Sequence, residues 1–252
     1  MNHHLFKGAT LICTLLFFNT AMAADTMNHS EYDALLKTYV KDGAVNYAAL
    51  KKDRKALDAY VDTSKTLIRI QFLQWSKDEQ LAYLINLYNA ATLQLIVDHY
   101  PVKSIKDIGS LFKGPWDQPV IQRFGETITL NDLEHEIIRK DYDEPRIHVA
   151  LVCAAKSCPR LRSEAYTGAD LERQLSEGMQ GFLQDKEKNR LAADGKTLHL
   201  SSIFSWYGKD FTKKGNTLLD YLKPYMTEAD QGVLKNNTVK LRYLPYDWSL
   251  NE

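Results

Sequence analysis

The stretch KDEQLAYLINLYNAATLQLIVDHY, residues 77–100, has the clearest periodic pattern in this chain. Its apolar side chains recur every three or four residues, which is the spacing that gathers them on one face of a helix. The members of this face include Leu81, Leu84, Ile85, Tyr88, Leu95 and Ile96. Pro101 follows at once and cannot continue a helix. The pattern therefore predicts the strongest helix of the chain over 77–100.

The segments on either side predict further helices and a few short strands. Helical patterns cover 32–40, 48–60, 132–140, 169–183, 204–211 and 217–226. Two short runs that flank Gly125, 121–124 and 126–129, are typical of a hairpin. Strand patterns also occur at 197–200 and at the start of the tail VKLRYLPYDWSLN, from 239 onward. Because helices dominate, the predicted fold class is α+β, a helix-rich single domain packed on a small β-sheet.

Residues 146–153, RIHVALVC, are short, rich in β-branched side chains and almost uninterrupted by polar ones. This composition favours a buried strand. On a regular strand, Arg146 and His148 would share one face while Cys153 lies on the other. His148 would then not reach the thiol of Cys153, so a partner for that thiol is expected from another element.

The second thiol, Cys158, precedes Pro159, a residue that suits the first turn of a helix. A helix N-terminus lowers the pKa of a thiol, and Lys156 and Arg160 would act in the same direction. These neighbours predict that Cys158 ionises more readily than Cys153. A disulfide between the two also stays open in an oxidising compartment, although so short a loop would add little stability.

The first 23 residues have the pattern of a cleavable secretory signal peptide. Lys7 precedes an apolar run from 9 to 18, and Ala21 and Ala23 fit an A-x-A cleavage site. The run is too short to span a membrane, and no later stretch is apolar enough to do so. We therefore expect a soluble domain over 24–252 that is periplasmic or secreted.

The composition excludes several classes of partner. The chain carries 32 Lys+Arg and 32 Asp+Glu, so it has no basic field to gather nucleic acid. It has no Gly-rich phosphate loop and no G-x-S-x-G nucleophile elbow. The spacing of its histidines and cysteines matches no zinc pattern. We expect neither a metal nor a cofactor, and the sequence gives no oligomeric state.

Two groups of polar residues invite a functional interpretation. Asn86 and Asn89 lie on one face of the apolar helix, where asparagine is a mediocre helix former. Their amides would either pin a loop by hydrogen bonds, which we favour, or orient a histidine or an oxyanion. His135 lies beside Glu134 and one helical turn from Arg139. Such charged neighbours could shift the pKa of a histidine toward working pH.

Six stretches, in order along the chain, resemble the uncharacterised DUF547 family. They are DGAVNYAAL at 42–50, LINLYNAATL at 84–93, LEHEIIR at 133–139, RIHVALVCAAKSCPRLR at 146–162, LSSIFSWYGKDF at 200–211 and YLPYDWSLN at 243–251. The resemblance implies a papain-like cysteine peptidase type of fold. Its motif positions match Asn86, Asn89, Glu134, His135, Arg146, Cys153, Tyr246, Asp247 and Trp248.

The resemblance favours Cys153 over Cys158 as the nucleophile, because the position of Cys158 can be serine in plant-type members. The order of the two residues along the chain differs from that in papain-like peptidases. In papain-like enzymes the cysteine opens a helix and precedes its histidine, whereas here His135 comes first. Either the order is permuted or the site is not a protease site.

The leading hypothesis is a thiol-dependent amide hydrolase or acyl transferase of the cell envelope. Cys153 would be the nucleophile, His135 the general base, and Asn86 or Glu134 the group that orients the imidazole. The rival is a non-enzymatic module whose pocket holds a peptide or a small thiol such as glutathione. The residues assigned to substrate binding are Asn89, Arg146, Cys158, Tyr246 and Asp247.

Thiol-redox chemistry is a third option, but C-x₄-C is not the C-x-x-C spacing of thioredoxins. The aromatic residues Trp206 and Tyr207 are expected in the core rather than in a ligand-stacking surface.

Overall fold

The computed structural model describes residues 26–110, 112–236 and 238–252. The predicted signal peptide, residues 1–23, lies outside these residues. The helices are α1 Ser30–Tyr39, α2 Tyr47–Lys52, α3 Lys55–Thr66, α4 Arg69–Gln74, α5 Lys77–His99, α6 Arg139–Asp141, α7 Leu171–Gln184, α8 Ile203–Trp206, α9 Gly208–Phe211, α10 Leu218–Leu222 and α11 Glu228–Asn236. A π-helix, Asp132–Ile138, runs into α6, and 3₁₀ turns occur at Ile105–Asp107, Pro115–Asp117, Pro145–Val149 and Lys223–Tyr225.

Helix α5 is the centre of the larger hydrophobic core, as its sequence predicts. It begins with a capping box in which Ser76 Oγ accepts from Glu79 N and the Glu79 carboxylate accepts from Ser76 N. From Gln80 to Val97, every side chain except that of Gln94 is buried. A helix that is buried all round has neighbours on every side, and its main ones here are α2, α3 and the π-helix.

The strands form three small sheets. They are β1 Val40–Lys41, β2 Ala44–Val45, β3 Ile121–Arg123, β4 Glu126–Ile128, β5 Arg190–Leu191, β6 Thr197–Leu200 and β7 Lys240–Tyr243. β1–β2 and β3–β4 are hairpins, while β6 pairs antiparallel with β5 and parallel with β7. The predicted hairpin around Gly125 and the strands at 197–200 and in the tail are confirmed. Helices and small sheets together confirm the α+β class.

A second, smaller hydrophobic cluster lies between α7, β6 and helices α8 to α11. Its buried members include Met179, Phe182, Leu198, Phe204 and Leu222. The side chain of Tyr246 packs against both clusters, and Cys153 packs against the larger one. The two cysteines therefore lie close to the junction of the two clusters.

The predicted strand over 146–153 is wrong. Pro145–Val149 form a 3₁₀ turn, in which the Glu144 carboxylate accepts from Arg146 N, and the chain continues as irregular backbone to Cys153. All four residues from Arg146 to Val149 are buried. The apolar run thus reflects burial on every side, which periodicity cannot distinguish from a buried strand.

Other element boundaries also differ from the predictions. The expected helix after Pro159 is absent, since 159–162 are irregular. The expected helices at 48–60, 204–211 and 217–226 are each divided into two shorter helical segments. Within the described residues, no helix is both long and apolar enough to cross a membrane.

Candidate thiol site

Asn89 on α5 fixes the backbone that leads into Cys153. Its Nδ2 donates to the carbonyl oxygen of Ala150 over 3.0 Å, and its Oδ1 accepts from the nitrogen of Val152 over 2.9 Å. Both contacts are buried, where an unpaired backbone group would be costly. Asn89 was predicted to bind substrate, but both ends of its amide are engaged by backbone. It instead positions residues 150–153, which we call the thiol segment.

The C-terminal tail holds the turn between the cysteines from the other side. The nitrogen of Lys156 donates to the carbonyl of Ser249 over 2.8 Å, and the nitrogen of Ser157 donates to the carbonyl of Asp247 over 3.2 Å. The backbone nitrogen of Asp247 in turn donates to Ser157 Oγ over 2.8 Å. The chain between the cysteines reverses at Ala154, which has a φ of 55°. Asp247 thus contributes its backbone to the pairing that places Tyr246.

The two thiols lie in contact, and both are free. Cys158 Sγ accepts a hydrogen bond from the backbone nitrogen of Cys153 over 2.9 Å. Cys153 Sγ lies 3.1 Å from the hydroxyl oxygen of Tyr246 and also receives the backbone N–H of Ala155. Cys153 is partly exposed, whereas Cys158 is only 3 % exposed. The accessible sulfur is therefore that of Cys153.

The hydrogen bonds between Cys153 and Cys158 make the two thiols ionise at different pH. Its hydrogen bond with Cys158, together with burial, raises the pKa of Cys153 well above the ordinary thiol value. Burial would also raise the pKa of Cys158, but the side chain and backbone N–H of Cys153 lower it. The buried sulfur thus carries the first negative charge. This agrees with the direction predicted for Cys158, although the helix N-terminus behind that prediction is absent.

Lys188 and Tyr246 both act on Cys158. The sequence did not single out Lys188, and it did not place Tyr246 beside the thiols. Lys188 donates its Nζ to the carbonyl oxygen of Cys158 over 2.8 Å, and its charge also lowers the pKa of the Cys158 thiol. Burial and the neighbouring thiols raise the pKa of Tyr246, so it stays a hydroxyl donor. Lys188 lies 30 residues from Cys158 in the chain, and no local pattern could have connected them.

His135 lies on the π-helix, whose start is capped by Thr129 through reciprocal hydrogen bonds with Asp132. His135 Nδ1 is 3.1 Å from Arg139 NH1 and 3.8 Å from a carboxylate oxygen of Glu134. The other oxygen of Glu134 accepts from the Tyr88 hydroxyl over 3.0 Å. Among the described residues, no hydrogen bond joins His135 to Cys153. The structure thus brings Glu134 and His135 together as predicted, but not into contact with the thiol.

Asn86 contacts neither His135 nor Cys153. Its Nδ2 donates to the carbonyl of Tyr166 over 2.8 Å, and its Oδ1 accepts from the nitrogen of Tyr166 over 2.9 Å. The favoured interpretation of a buried amide that pins a loop is confirmed. Its Nδ2 also lies 3.4 Å from His29 Nδ1, and no hydrogen bond among the described residues joins Asn86 to the imidazole of His135.

A second polar network, which we call the histidine network, links His135, Arg139, Asp210 and His148. His148 Nε2 and Arg139 Nε each lie 2.8 Å from Asp210 Oδ2. His148 also stacks on Tyr207 with ring centroids 3.8 Å apart. Burial lowers the pKa of His148. Burial opposes ionisation of Asp210 as well, but Arg139 and His148 lower its pKa to about 2.

Sequence reasoning missed Asp210, although it lies in the stretch LSSIFSWYGKDF that carried the resemblance.

Arg146 was predicted to bind substrate, but its guanidinium is saturated by Glu144 and Glu172, each within 2.6 Å. The pair with Glu172 connects the 3₁₀ turn to α7. Arg146 is therefore a structural residue in this fold.

Four aromatic side chains contact one another in a row, and one of them, Tyr246, contacts Cys153. Trp206 and Tyr246 have ring centroids 4.8 Å apart, Tyr246 and Trp248 4.6 Å, and Trp116 and Trp248 5.7 Å. Trp206 is 50 % exposed, so the prediction that it lies in the core is wrong. Its short helix α8 ends at the surface, where the tail rather than the core contacts the indole. Tyr207 is half-buried under His148.

No group of three or more His, Cys, Asp or Glu side chains in the described part of the chain is arranged to hold a metal ion.

Comparison with curated proteins and with solved structures finds no match. Residues 72–183 match the family described as "Protein of unknown function, DUF547". This segment contains α5, the His135 helix and both cysteines, while Tyr246 and Asp210 lie beyond it. Over residues 72–183, the chain is thus similar to the DUF547 family, which supports the resemblance of its motifs.

Proposed function

We propose that this protein is a thiol-dependent amide hydrolase or acyl transferase in which Cys153 attacks a carbonyl carbon. The observation that carries the proposal is the environment of the Cys153 sulfur. A nucleophilic thiol needs a nearby acceptor for its proton and donors that stabilise the thiolate. The thiolate-favouring Cys158 supplies the acceptor, while the Tyr246 hydroxyl and the Ala155 N–H supply the donors.

The chemical step follows from these contacts. The proton of Cys153 moves to Cys158 Sγ as the Cys153 sulfur forms a bond to the carbonyl carbon. The leaving group departs with that proton, which leaves an acyl thioester on Cys153. Water or an acceptor amine then releases the acyl group and restores the thiol. His135, the base expected from the sequence, is engaged with Arg139, so the contacts favour Cys158 for this role.

The test is acyl-enzyme formation from an activated ester under reducing conditions, followed by intact mass. The full chain would carry Cys13→Ser, so that only Cys153 and Cys158 remain as thiols. We expect one acyl adduct on Cys153, its loss in Cys153→Ser, and acylation slower by about 10²-fold or more in Cys158→Ser. His135→Gln is the matched comparison and should change the rate less than Cys158→Ser.

Absence of an adduct on Cys153 in the folded protein would contradict the proposal. A rate that falls with His135→Gln but not with Cys158→Ser would return the base role to the histidine.

A second candidate function is the binding of a peptide or a small thiol such as glutathione without catalysis. The half-exposed Trp206 beside Tyr246 and Trp248 favours it, because exposed aromatic rings supply contact area at small entropic cost. Titration of Trp206→Ala and wild type with peptides and with glutathione separates the cases. Saturable binding that depends on Trp206, with no acyl adduct, would support the binding module.

We infer from the first 23 residues that the chain is exported, with the domain over 24–252 periplasmic or secreted. The charged start, the short apolar run and the A-x-A motif support this inference. N-terminal sequencing of the protein from the envelope fraction of an expressing cell tests it. An intact Met1 would contradict it.

A further inference from the structure

We propose that Cys153 and Cys158 form a dithiol–disulfide couple that exchanges with external disulfides. This activity is separate from the carbonyl chemistry above and does not depend on it. Its basis is that the two free cysteines are held together in the folded protein, where the backbone N–H of Cys153 donates to Cys158 Sγ over 2.9 Å and the two thiols interact. Contact between two thiols on a held backbone is the geometry from which a disulfide forms with least rearrangement.

The backbone around the couple is fixed independently of the sulfurs. Asn89 holds the segment before Cys153, and the tail holds the turn before Cys158 through the carbonyls of Ser249 and Asp247. Only four residues separate the cysteines, so a bond between them closes a short loop and changes the chain entropy little. The equilibrium between dithiol and disulfide is therefore set by the local contacts of the sulfurs.

The two cysteines differ in a way that assigns their roles. Cys153 is partly exposed and can meet an external disulfide, whereas Cys158 is 3 % exposed. In thiol–disulfide exchange, an accessible thiolate attacks first and a second thiol resolves the mixed disulfide. Cys153 is accordingly the attacking residue and Cys158 the resolving residue.

The exchange balances without any further reactant. The Cys153 proton passes to the thiolate of Cys158, and the Cys153 sulfur attacks one sulfur of the external disulfide. The external S–S bond breaks, a Cys153 mixed disulfide forms, and the first external thiol leaves with the proton from Cys158. Cys158 then attacks the Cys153 sulfur and expels the second thiolate. The protein, which begins with one thiol and one thiolate, loses two electrons and one proton, and the external disulfide gains them as it becomes one thiol and one thiolate.

Contacts with Cys153 and Cys158 stabilise the reduced form over the disulfide. The backbone N–H of Cys153 donates to Cys158 Sγ, and the Tyr246 hydroxyl contacts Cys153 Sγ. A reduced form that is stabilised in this way makes the corresponding disulfide a stronger oxidant. Removal of the Tyr246 hydroxyl should therefore favour the disulfide.

The experiment uses the full chain with Cys13→Ser and a series of buffers of oxidised and reduced glutathione. The dithiol and disulfide fractions are read by alkylation and intact mass after quenching with acid. We expect a reversible intramolecular disulfide with a defined midpoint. Tyr246→Phe should form the disulfide at a ratio of oxidised to reduced glutathione lower by about tenfold. Tyr243→Phe, at an exposed position, is the matched control and should leave the midpoint unchanged.

Single-cysteine variants test the roles. Cys158→Ser should accumulate a glutathione mixed disulfide on Cys153, because no resolving thiol remains. Cys153→Ser should stay unmodified while it is folded, because its remaining thiol is buried. Circular dichroism of each variant reports whether the fold is retained.

A folded wild type that forms no intramolecular disulfide in oxidised glutathione alone would overturn the proposal. Equal rates of glutathionylation in the two single-cysteine variants would overturn the assigned roles. The acyl-enzyme assay is run with reductant, where the couple is held as the dithiol. Failure of one proposal therefore leaves the other measurable.

Discussion

The thiol pair and the histidine network are both polar, but their atoms are used differently. In the histidine network, each carboxylate oxygen or ring nitrogen that we describe is bonded within the network, and His148 and Asp210 are buried. In the thiol pair, Cys153 keeps an exposed face while its contacts hold it in place. Buried, fully bonded groups such as His148 and Asp210 stabilise a fold, whereas an accessible thiol in a fixed contact can react. We therefore expect His148 and Asp210 to contribute chiefly to stability, and the sulfurs to be the reactive groups that we propose.

The largest expected effect is on stability and comes from the histidine network. Asp210→Asn removes the charge that compensates Arg139 and the acceptor of His148. Asp210 is buried beside a part-exposed arginine and a buried histidine, and loss of its charged hydrogen bonds to them should cost about 3 kcal/mol. Denaturant unfolding should show this loss, while the exposed ion-pair variant Asp62→Asn should change the free energy of unfolding by about 0.5 kcal/mol or less.

The rate of Cys153 alkylation in folded Asp210→Asn should match that of wild type. A large fall in this rate with the fold retained would break the distinction between the two regions.

The same network makes stability depend on pH in the acid range. The pKa of Asp210 falls from an ordinary 3.8 to about 2 in the folded protein, because Arg139 and His148 outweigh burial. Its contribution is therefore complete above about 3.8 and is lost as the pH falls toward 2. Burial also lowers the pKa of His148 from 6.5, so the unfolded chain binds that proton first and stability falls further below 6.5.

Thermal unfolding of wild type and of Asp210→Asn between pH 7 and pH 3 measures this dependence. We expect the two proteins to converge as the carboxyl of Asp210 is protonated. A gap that widens toward acid pH would contradict the assignment.

A second stability effect tests how firmly the thiol segment is positioned. Asn89→Ala leaves the carbonyl of Ala150 and the nitrogen of Val152 without their partner, which costs about 2 kcal/mol or more. The surface variant Asn131→Ala, which loses only an exposed contact to Asp117, should cost about 0.5 kcal/mol or less. Chemical denaturation compares them, and equal costs would show that the Asn89 contacts do not hold the segment.

The smallest expected effect is a shift in thiol ionisation. The pKa of Cys158 is lowered chiefly by the side chain and backbone N–H of Cys153, against the effect of burial. Cys153→Ala removes the side-chain contact and keeps the backbone one. The ultraviolet absorbance of the first thiolate should therefore appear at higher pH in Cys153→Ala than in wild type. An unchanged titration would show that the thiols do not share the charge.

Local sequence predicted the elements whose stability is local. The helix over 77–100, the hairpin around Gly125 and the strand at 197–200 depend on periodicity and turn residues close to them. The segment 146–153 failed because a fully buried 3₁₀ turn has the same apolar composition as a buried strand. The motif cysteine and the Glu134–His135 pair were found by resemblance, but the resemblance did not say which groups touch.

By itself, the sequence determined the central helix, the α+β class and the identity of the thiols, because near neighbours along the chain settle these features. Only the tertiary structure decided what surrounds the thiols. Tyr246 reaches Cys153 from 93 residues away, and Asp210 reaches His148 from 62 residues away. Such contacts depend on how the tail and helix α9 pack against the core, and that packing is the sum of many long-range contacts that no single segment encodes.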